Sequence, residues 1–198
     1  MLRRGLISVK PLRIAYGLLA CFFVAERLLR RGRAAASLRE GQDDRGTTRA
    51  IGRAFGWSML SLCAAPIMNR SGVGRVGSPR LPWAGIAAMV AGLALRVWAA
   101  QILGAFYTRT LRTSTEQRIV EEGPYRVVRH PGYLGVLLLW LGAGLAAANW
   151  IAAAAIAAAL ARAYSKRMDA EEAMLAATFA GDYARYAGRT RRLIPFVY

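Results

Sequence analysis

The sequence predicts an all-α integral membrane protein with about five transmembrane helices and an amphipathic, cytoplasmic C-terminal helical tail. Three observations carry that expectation. Hydrophobic residues make up 56% of the 198 residues, at a mean hydropathy of +0.27, which is high for a soluble chain. They come in blocks close to the ~20 residues needed to cross about 30 Å of hydrocarbon. The basic residues behind the net charge of +17 lie largely between these blocks, as the positive-inside rule and anionic headgroups require. A nucleic-acid binder gathers its basic residues on one solvated face, so membrane lipids are the expected contact and nucleic acid is not. Cys21 and Cys63 both fall inside apolar runs. They are expected to be buried small hydrophobes, with no disulfide and no metal.

The first block, 12–29, follows a basic stretch and resembles a signal peptide, but no small-x-small cleavage pattern precedes Glu26; it is expected to be a retained span. The others are 51–68, 83–106, 133–148 and 150–164. Only Ala147-Ala148-Asn149-Trp150 separates the last two, which predicts a helical hairpin with Asn149 and Trp150 at the turn and Trp150 at interface depth. Between spans, 30–53 carries seven arginines against Glu40, Asp43 and Asp44, whereas 69–82 carries only Arg70, Arg75 and Arg80. Arg109, Arg112, Arg118, Arg126 and Arg129 fill 108–132, and the tail after Tyr164 is basic again. Placing the three strongly basic segments in the cytoplasm requires an external N-terminus, against the pull of Arg3, Arg4, Lys10 and Arg13. It also puts 108–132 and the tail on one side, where a cytoplasmic active site would be built from both. Alanine and glycine crowd the spans and suit close helix packing in lipid. Arg96 and Gln101 stand out in the third span. A mid-span charge is either a functional residue or one that snorkels.

The tail from Lys166 repeats Met168, Met174, Leu175, Phe179, Tyr183 and Tyr186 at helical spacing with charges between them. This predicts an amphipathic helix interrupted near Gly181. A surface helix alone leaves the terminal Leu193-Ile194-Pro195-Phe196 unexplained.

Two constellations carry chemistry. In GPYRVVRHPGYLG, 123–135, Pro124 and Pro131 bias Gly123 and His130 away from helix, so the backbone is irregular at the membrane lip. Such backbone survives at that depth only when buried in protein or lining a wet cavity. With Gly123, Gly132 and Gly135 allowing close approach, Tyr125, Arg129, His130 and Tyr133 read as a pocket wall. The second constellation is Arg167-Met168-Asp169-Ala170-Glu171-Glu172, in which Arg167 and Glu171 share a helical face. The basic residue comes first, the weaker order for a surface pair; an arginine fork aimed at an anionic ligand is the functional alternative.

In order along the chain, LALRVWAAQILGAFYT, QRIVEEGPYRVVRHPGYLG, AAANW and RMDAEEAMLAATFAGDYARYAGRTRRLIPF resemble the isoprenylcysteine carboxyl methyltransferase family, whose wider group includes membrane phospholipid N-methyltransferases. The resemblance covers the C-terminal half and implies one membrane methyltransferase domain over 1–198, with N-terminal spans in 1–82 and the catalytic part in 83–198. It implies S-adenosylmethionine in a cytoplasm-facing pocket and a lipophilic acceptor entering from the bilayer. Carried over residue by residue, the catalytic pair is Arg167 and Glu171. The cofactor wall is Gln117, Ile119, Val120, Gly123, Tyr125, Arg129, His130, Pro131, Tyr133, Leu134 and Gly135, joined by Glu172, Tyr183, Tyr186 and Pro195 of the tail. Gln117 stands where eukaryotic relatives have histidine, and Glu121-Glu122 where they have small hydroxyl residues.

The leading expectation is carboxyl O-methylation of an isoprenylcysteine-like acid. A carboxylate is already a nucleophile, so His130 is expected to hydrogen-bond the cofactor rather than act as a base. The alternatives are N-methylation of a phospholipid or lipid amine, and an NADPH-dependent sterol-type reductase. The reductases resemble RHPNYxG followed by an acidic residue; Gly132 and Val136 stand at those places here. The excess of arginine over lysine and the abundant alanine suggest GC-rich coding and hence a bacterial inner membrane.

Overall fold

The computed structural model describes residues 9–29, 44–104 and 119–195, and among these the regular structure is helical. The helices are α1 (Val9–Leu29), α2 (Thr47–Arg70), α3 (Leu81–Leu103), α4 (Pro131–Ala146) and α5 (Trp150–Arg189), with a short 3-10 turn over Gly123–Arg126. Each of the five apolar blocks is thus mainly helical over its described residues. α2 and α3 are long and apolar enough to cross a membrane. α1 has the length but carries Lys10, Arg13, Glu26 and Arg27, and the 16 residues of α4 rise only about 24 Å. Trp57, Leu60 and Ile67 of α2 and Trp83, Val90 and Trp98 of α3 are 49–69% exposed, apolar surface that lipid rather than water would cover.

Local signals set the helix ends. Gly46 precedes α2 with φ 74°, a left-handed conformation that costs glycine little. Pro82 and Pro131 sit in the first turns of α3 and α4, where the missing N–H costs nothing. The hairpin between α4 and α5 forms as the sequence suggests. Asn149 Oδ1 accepts from Ala152 N at 3.0 Å, while its Nδ2 donates to Asn69 Oδ1 and to the Val73 carbonyl, both at 2.9 Å. The loop after α2 is thereby tied to the turn, and Trp150 beside it is exposed.

α3 and α4 make the most extensive helix contact, through glycines seven residues apart on each. A Cβ added to Gly92 would lie 2.5 Å from the Gly135 carbonyl oxygen, and one added to Gly85 would lie 2.5 Å from that of Gly142. The two backbones touch because there is no side chain between them. Trp140, Leu139, Leu62, Met89, Ile156 and Leu160 fill the core around this contact.

Arg96 is neither free nor snorkelling. Its Nε donates to Glu26 Oε1 at 2.7 Å and its Nη2 to Oε2 at 3.3 Å, a largely buried two-point pair that joins α1 to α3. Gln101 is exposed. Cys21 and Cys63 are exposed as well, against expectation. In a membrane chain the outer face of a helix is as apolar as the inner one, so an apolar run does not place a residue inside.

α5 covers 40 residues but is broken near its end, and the stretch before the break, 150–179, rises about 45 Å, longer than the hydrocarbon is thick. Its apolar first part packs into the bundle and its charged second part continues beyond. The interruption falls at Ala180, with φ 41° and ψ −112°, one residue before the position read from the sequence. Met168, Met174, Tyr183 and Tyr186 are buried, so this half folds onto the protein instead of lying free on a surface.

Candidate active site

Three segments meet at one end of the bundle. The first is the proline-broken entry to α4, whose strand-like backbone is held by the tail. Arg129 N donates to the Arg191 carbonyl at 2.8 Å, His130 N to that of Arg192 at 3.1 Å, and Arg191 N to that of Val127 at 2.9 Å. The irregular backbone between Pro124 and Pro131 thus finds its partners in the C-terminal segment, which satisfies the requirement for buried amides. Tyr186 Oη adds a bond to the Tyr125 carbonyl at 2.9 Å.

The second segment is the charged stretch of α5. Glu172 Oε1 accepts from His130 Nε2 at 2.9 Å and from Arg129 Nε at 3.1 Å, and Arg192 Nε lies 3.3 Å away. Burial alone would raise the Glu172 carboxyl. The His130 and Arg129 contacts prevail and hold it at about 2. A carboxylate only accepts, so His130 Nε2 carries the proton in this bond. Arg129 Nη1 also donates to the carbonyls of Ala187, at 3.0 Å, and Thr190, at 2.7 Å. Arg129 therefore ties the loop, α5 and the tail into one unit.

On the residue before Glu172, Glu171 Oε2 accepts from the Tyr133 hydroxyl at 2.5 Å, and that hydroxyl accepts from Arg167 Nε at 3.2 Å. Tyr133 stands between the two residues of the expected catalytic pair. Its ring stacks on His130, with centroids 5.3 Å apart, and leans on Tyr164 at 5.0 Å. Arg167 is 4% exposed, not one half of a surface pair. Burial disfavours its charge, yet the surrounding anionic and hydroxyl groups outweigh that cost and hold the guanidinium charged.

The third segment escaped the sequence reading. Arg167 Nη1 donates to Asp44 Oδ1 at 2.6 Å, to Thr47 Oγ1 at 2.9 Å and to Thr48 Oγ1 at 3.4 Å. Asp44 is fully buried, and its Oδ2 accepts from Thr48 N at 3.1 Å at the start of α2. An aspartate followed by two threonines at the head of an apolar run is a helix-start signal, but nothing local in the sequence points it at a residue 123 positions later.

The other expected wall residues divide. Gly123, with φ 55°, packs towards Trp98 and Ile102 of α3, and Gly135 is spent on the contact with Gly92. Tyr125 is buried, with its hydroxyl 3.4 Å from the Ala99 carbonyl. Pro131 is buried, Ile119, Val120 and Leu134 are half-buried, and Pro195 is exposed. Gln117 lies outside the described residues. Tyr183 Oη is buried without a hydrogen-bond partner among them, and it feels the charges of Glu172, Arg129, Glu171 and Arg192, with burial the chief cause of its raised pKa. A hydroxyl left so beside charged groups suits a polar ligand.

Residues 84–177 match the model of the isoprenylcysteine carboxyl methyltransferase family. Over 117 residues the chain is 30% identical to a probable protein-S-isoprenylcysteine O-methyltransferase of rice (Oryza sativa subsp. indica), covering 58% of this chain and 61% of the relative. Over 115 residues it is 32% identical to protein-S-isoprenylcysteine O-methyltransferase B of Arabidopsis thaliana, covering 57% and 58%. The chain thus spans about three-fifths of the length of these curated relatives. A solved structure of a eukaryotic intramembrane Ras methyltransferase, an isoprenylcysteine carboxyl methyltransferase, superposes with a TM-score of 0.69 over 98% of this chain and 70% of that one. At 19% identity that likeness shows a shared fold. The relatives are eukaryotic and lend no support to a bacterial source.

Proposed function

We propose that this chain is a membrane methyltransferase that uses S-adenosylmethionine to methylate the carboxylate of an isoprenylcysteine-like acid. The observation that carries the reading is the convergence of Arg129 and His130 with Arg167, Glu171 and Glu172 at one end of the bundle, within the region that matches the family. The arrangement behind it is five antiparallel spans, with the site on the cytoplasmic side as charge distribution favours.

The donor set fits the cofactor. Glu172 offers a fixed anion to a cationic ligand, Arg129 and Arg192 offer cations to its carboxylate, and Tyr183 offers a buried hydroxyl with no hydrogen-bond partner among the described residues. These residues, with His130, are the ones that would hold it. When bound, S-adenosylmethionine would supply an electrophilic methyl carbon for an acceptor carboxylate oxygen and a neutral thioether as leaving group.

The protein has no proton to move in such a reaction, and its work is alignment. Arg167 binds and orients the acid, Tyr133 relays its position to Glu171, and the neutral ring faces of Tyr133 and Tyr164 exclude water. Holding two reactants in line supplies about 7–11 kcal/mol of a barrier. A water-soluble cofactor and a lipophilic acid meet only at the membrane interface, which is where an irregular lip before α4 is useful.

The test incubates the purified chain, in nanodiscs, with methyl-labelled cofactor and a small S-farnesylated cysteine bearing a free carboxyl. A base-labile methyl ester is the expected product. Label in an alkali-resistant lipid would point to amine methylation, and stabilisation by NADPH but not S-adenosylhomocysteine to reduction; either result overturns the proposal.

A further inference from the structure

The Asp44-Thr47-Thr48 cluster lies outside the region matched to the family and 119 to 123 residues before the arginine it touches. We infer that Asp44, seconded by Thr47 and Thr48, is a positioning residue that fixes the Arg167 guanidinium for recognition of the acceptor's carboxylate. The inference rests on the proposed function and adds to it a contribution from the N-terminal part of the chain.

A guanidinium is a rigid plane, so two fixed nitrogens fix its orientation. Nη1 is held by Asp44 at 2.6 Å and Thr47 at 2.9 Å, and Nε by Tyr133 at 3.2 Å. The two anchors belong to different helices, the head of α2 and the first turn of α4, so the fork sits where those helices put it and not where a flexible side chain drifts. Asp44 is itself pinned. Its Oδ1 accepts from Thr48 Oγ1 at 2.7 Å, its Oδ2 from Thr48 N at 3.1 Å, and its own carbonyl from Thr47 N at 2.8 Å. An aspartate fully out of solvent against an arginine 4% exposed is poor value as a stabiliser, since apolar residues often hold a fold as well as a buried pair does. Orientation is what this pair provides. Residues 1–82 then form part of the site and not only its support.

The test compares Asp44→Asn, which keeps the shape and loses the charge, with wild type and with Arg167→Lys, which keeps a cation and loses the fork. Turnover against the farnesylated cysteine, S-adenosylhomocysteine binding and thermal unfolding are measured on the full chain in nanodiscs. Asp44→Asn should lower kcat/KM for the acid on the order of 10- to 100-fold, the effect of misplacing a positioned group by about 1 Å. S-adenosylhomocysteine affinity should stay within about twofold of wild type, and the loss in the double variant should fall well short of the product of the single losses, because both act through one group. Wild-type turnover in Asp44→Asn overturns the inference and leaves the proposed function standing. Equal losses of turnover, S-adenosylhomocysteine binding and stability, or a fully multiplicative double variant, make Asp44 a fold element and also overturn it. A wild-type chain that methylates no acid is the separate result that removes the proposed function, and the inference with it.

Discussion

Replacing Gly92 by alanine tests the packing on which the site is mounted. The new Cβ would lie 2.5 Å from the Gly135 carbonyl oxygen and 2.6 Å from Leu139 N. Both are backbone atoms, so no rotamer change relieves the contact. Ordinary contact begins near 3.4 Å, and α3 must therefore withdraw from α4 by about 0.9 Å, the shortfall between those distances. Overpacking of this kind costs typically about 1–3 kcal/mol, against the ~0.5–1 kcal/mol that alanine returns over glycine in a helix. Gly56 of α2 provides the control, because a Cβ there meets nothing within 4 Å, and Gly56→Ala is expected to be neutral or slightly stabilising. Thermal unfolding in detergent, followed by tryptophan fluorescence, reads the difference. Gly92 faces the first turns of α4, one turn from Tyr133, whereas Gly85 faces Gly142 near the other end. Gly92→Ala should thus weaken S-adenosylhomocysteine binding more than Gly85→Ala at similar cost in stability. If Gly92→Ala unfolds with Gly56→Ala and binds normally, the backbone contact is not what positions the site.

Tyr133→Phe keeps the ring stacked between His130 and Tyr164 and removes only the hydroxyl between Arg167 and Glu171. Hydrogen bonds to charged groups are worth about 1.5–3 kcal/mol, so kcat/KM should fall about 10- to 150-fold with the fold retained; steady-state kinetics with unchanged turnover would show that the hydroxyl does not organise the pair. Glu172 gives a pH prediction. Its carboxyl falls from an ordinary 4.5 to about 2 in the folded protein, so its contribution is full above 4.5 and drains away as pH drops towards 2. A shift of that size corresponds to about 3 kcal/mol, reduced to about 1–2 kcal/mol by solvent screening of a side chain 22% exposed. The stability gap between wild type and Glu172→Gln should be largest near neutrality and narrow between pH 4.5 and 2; a gap that stays constant refutes the assignment.

The helices were legible because their causes are local. Apolar length, Pro82 and Pro131 at helix starts and Asn149 at a turn each act within a few residues. The number of spans was less so. Length and hydropathy separate α2 and α3 from the rest, but α1 keeps Glu26, whose charge is met by Arg96 on another helix. The cysteines failed for a related reason, since lipid and protein interior select the same residue types and periodicity cannot tell which side a residue faces.

The site was legible where it is contiguous. Arg129, His130 and Tyr133 lie within five residues of one another, and Arg167, Glu171 and Glu172 within six, so spacing presents them as a pocket wall and a charged helix face, while the roles expected of them come from the family resemblance. What spacing withheld is which member pairs with which. Arg167 and Glu171 are a helical turn apart, the distance at which a surface pair forms, yet each meets the Tyr133 hydroxyl of another helix, and Arg167 finds its anion in Asp44. Partner choice follows from the α3–α4 backbone contact and from the docking of α2 on α5, which are long-range consequences of small residues with no chemistry of their own. The residues that bear charge are therefore readable in this chain, while the residues that aim them are glycines and a helix start far away in sequence.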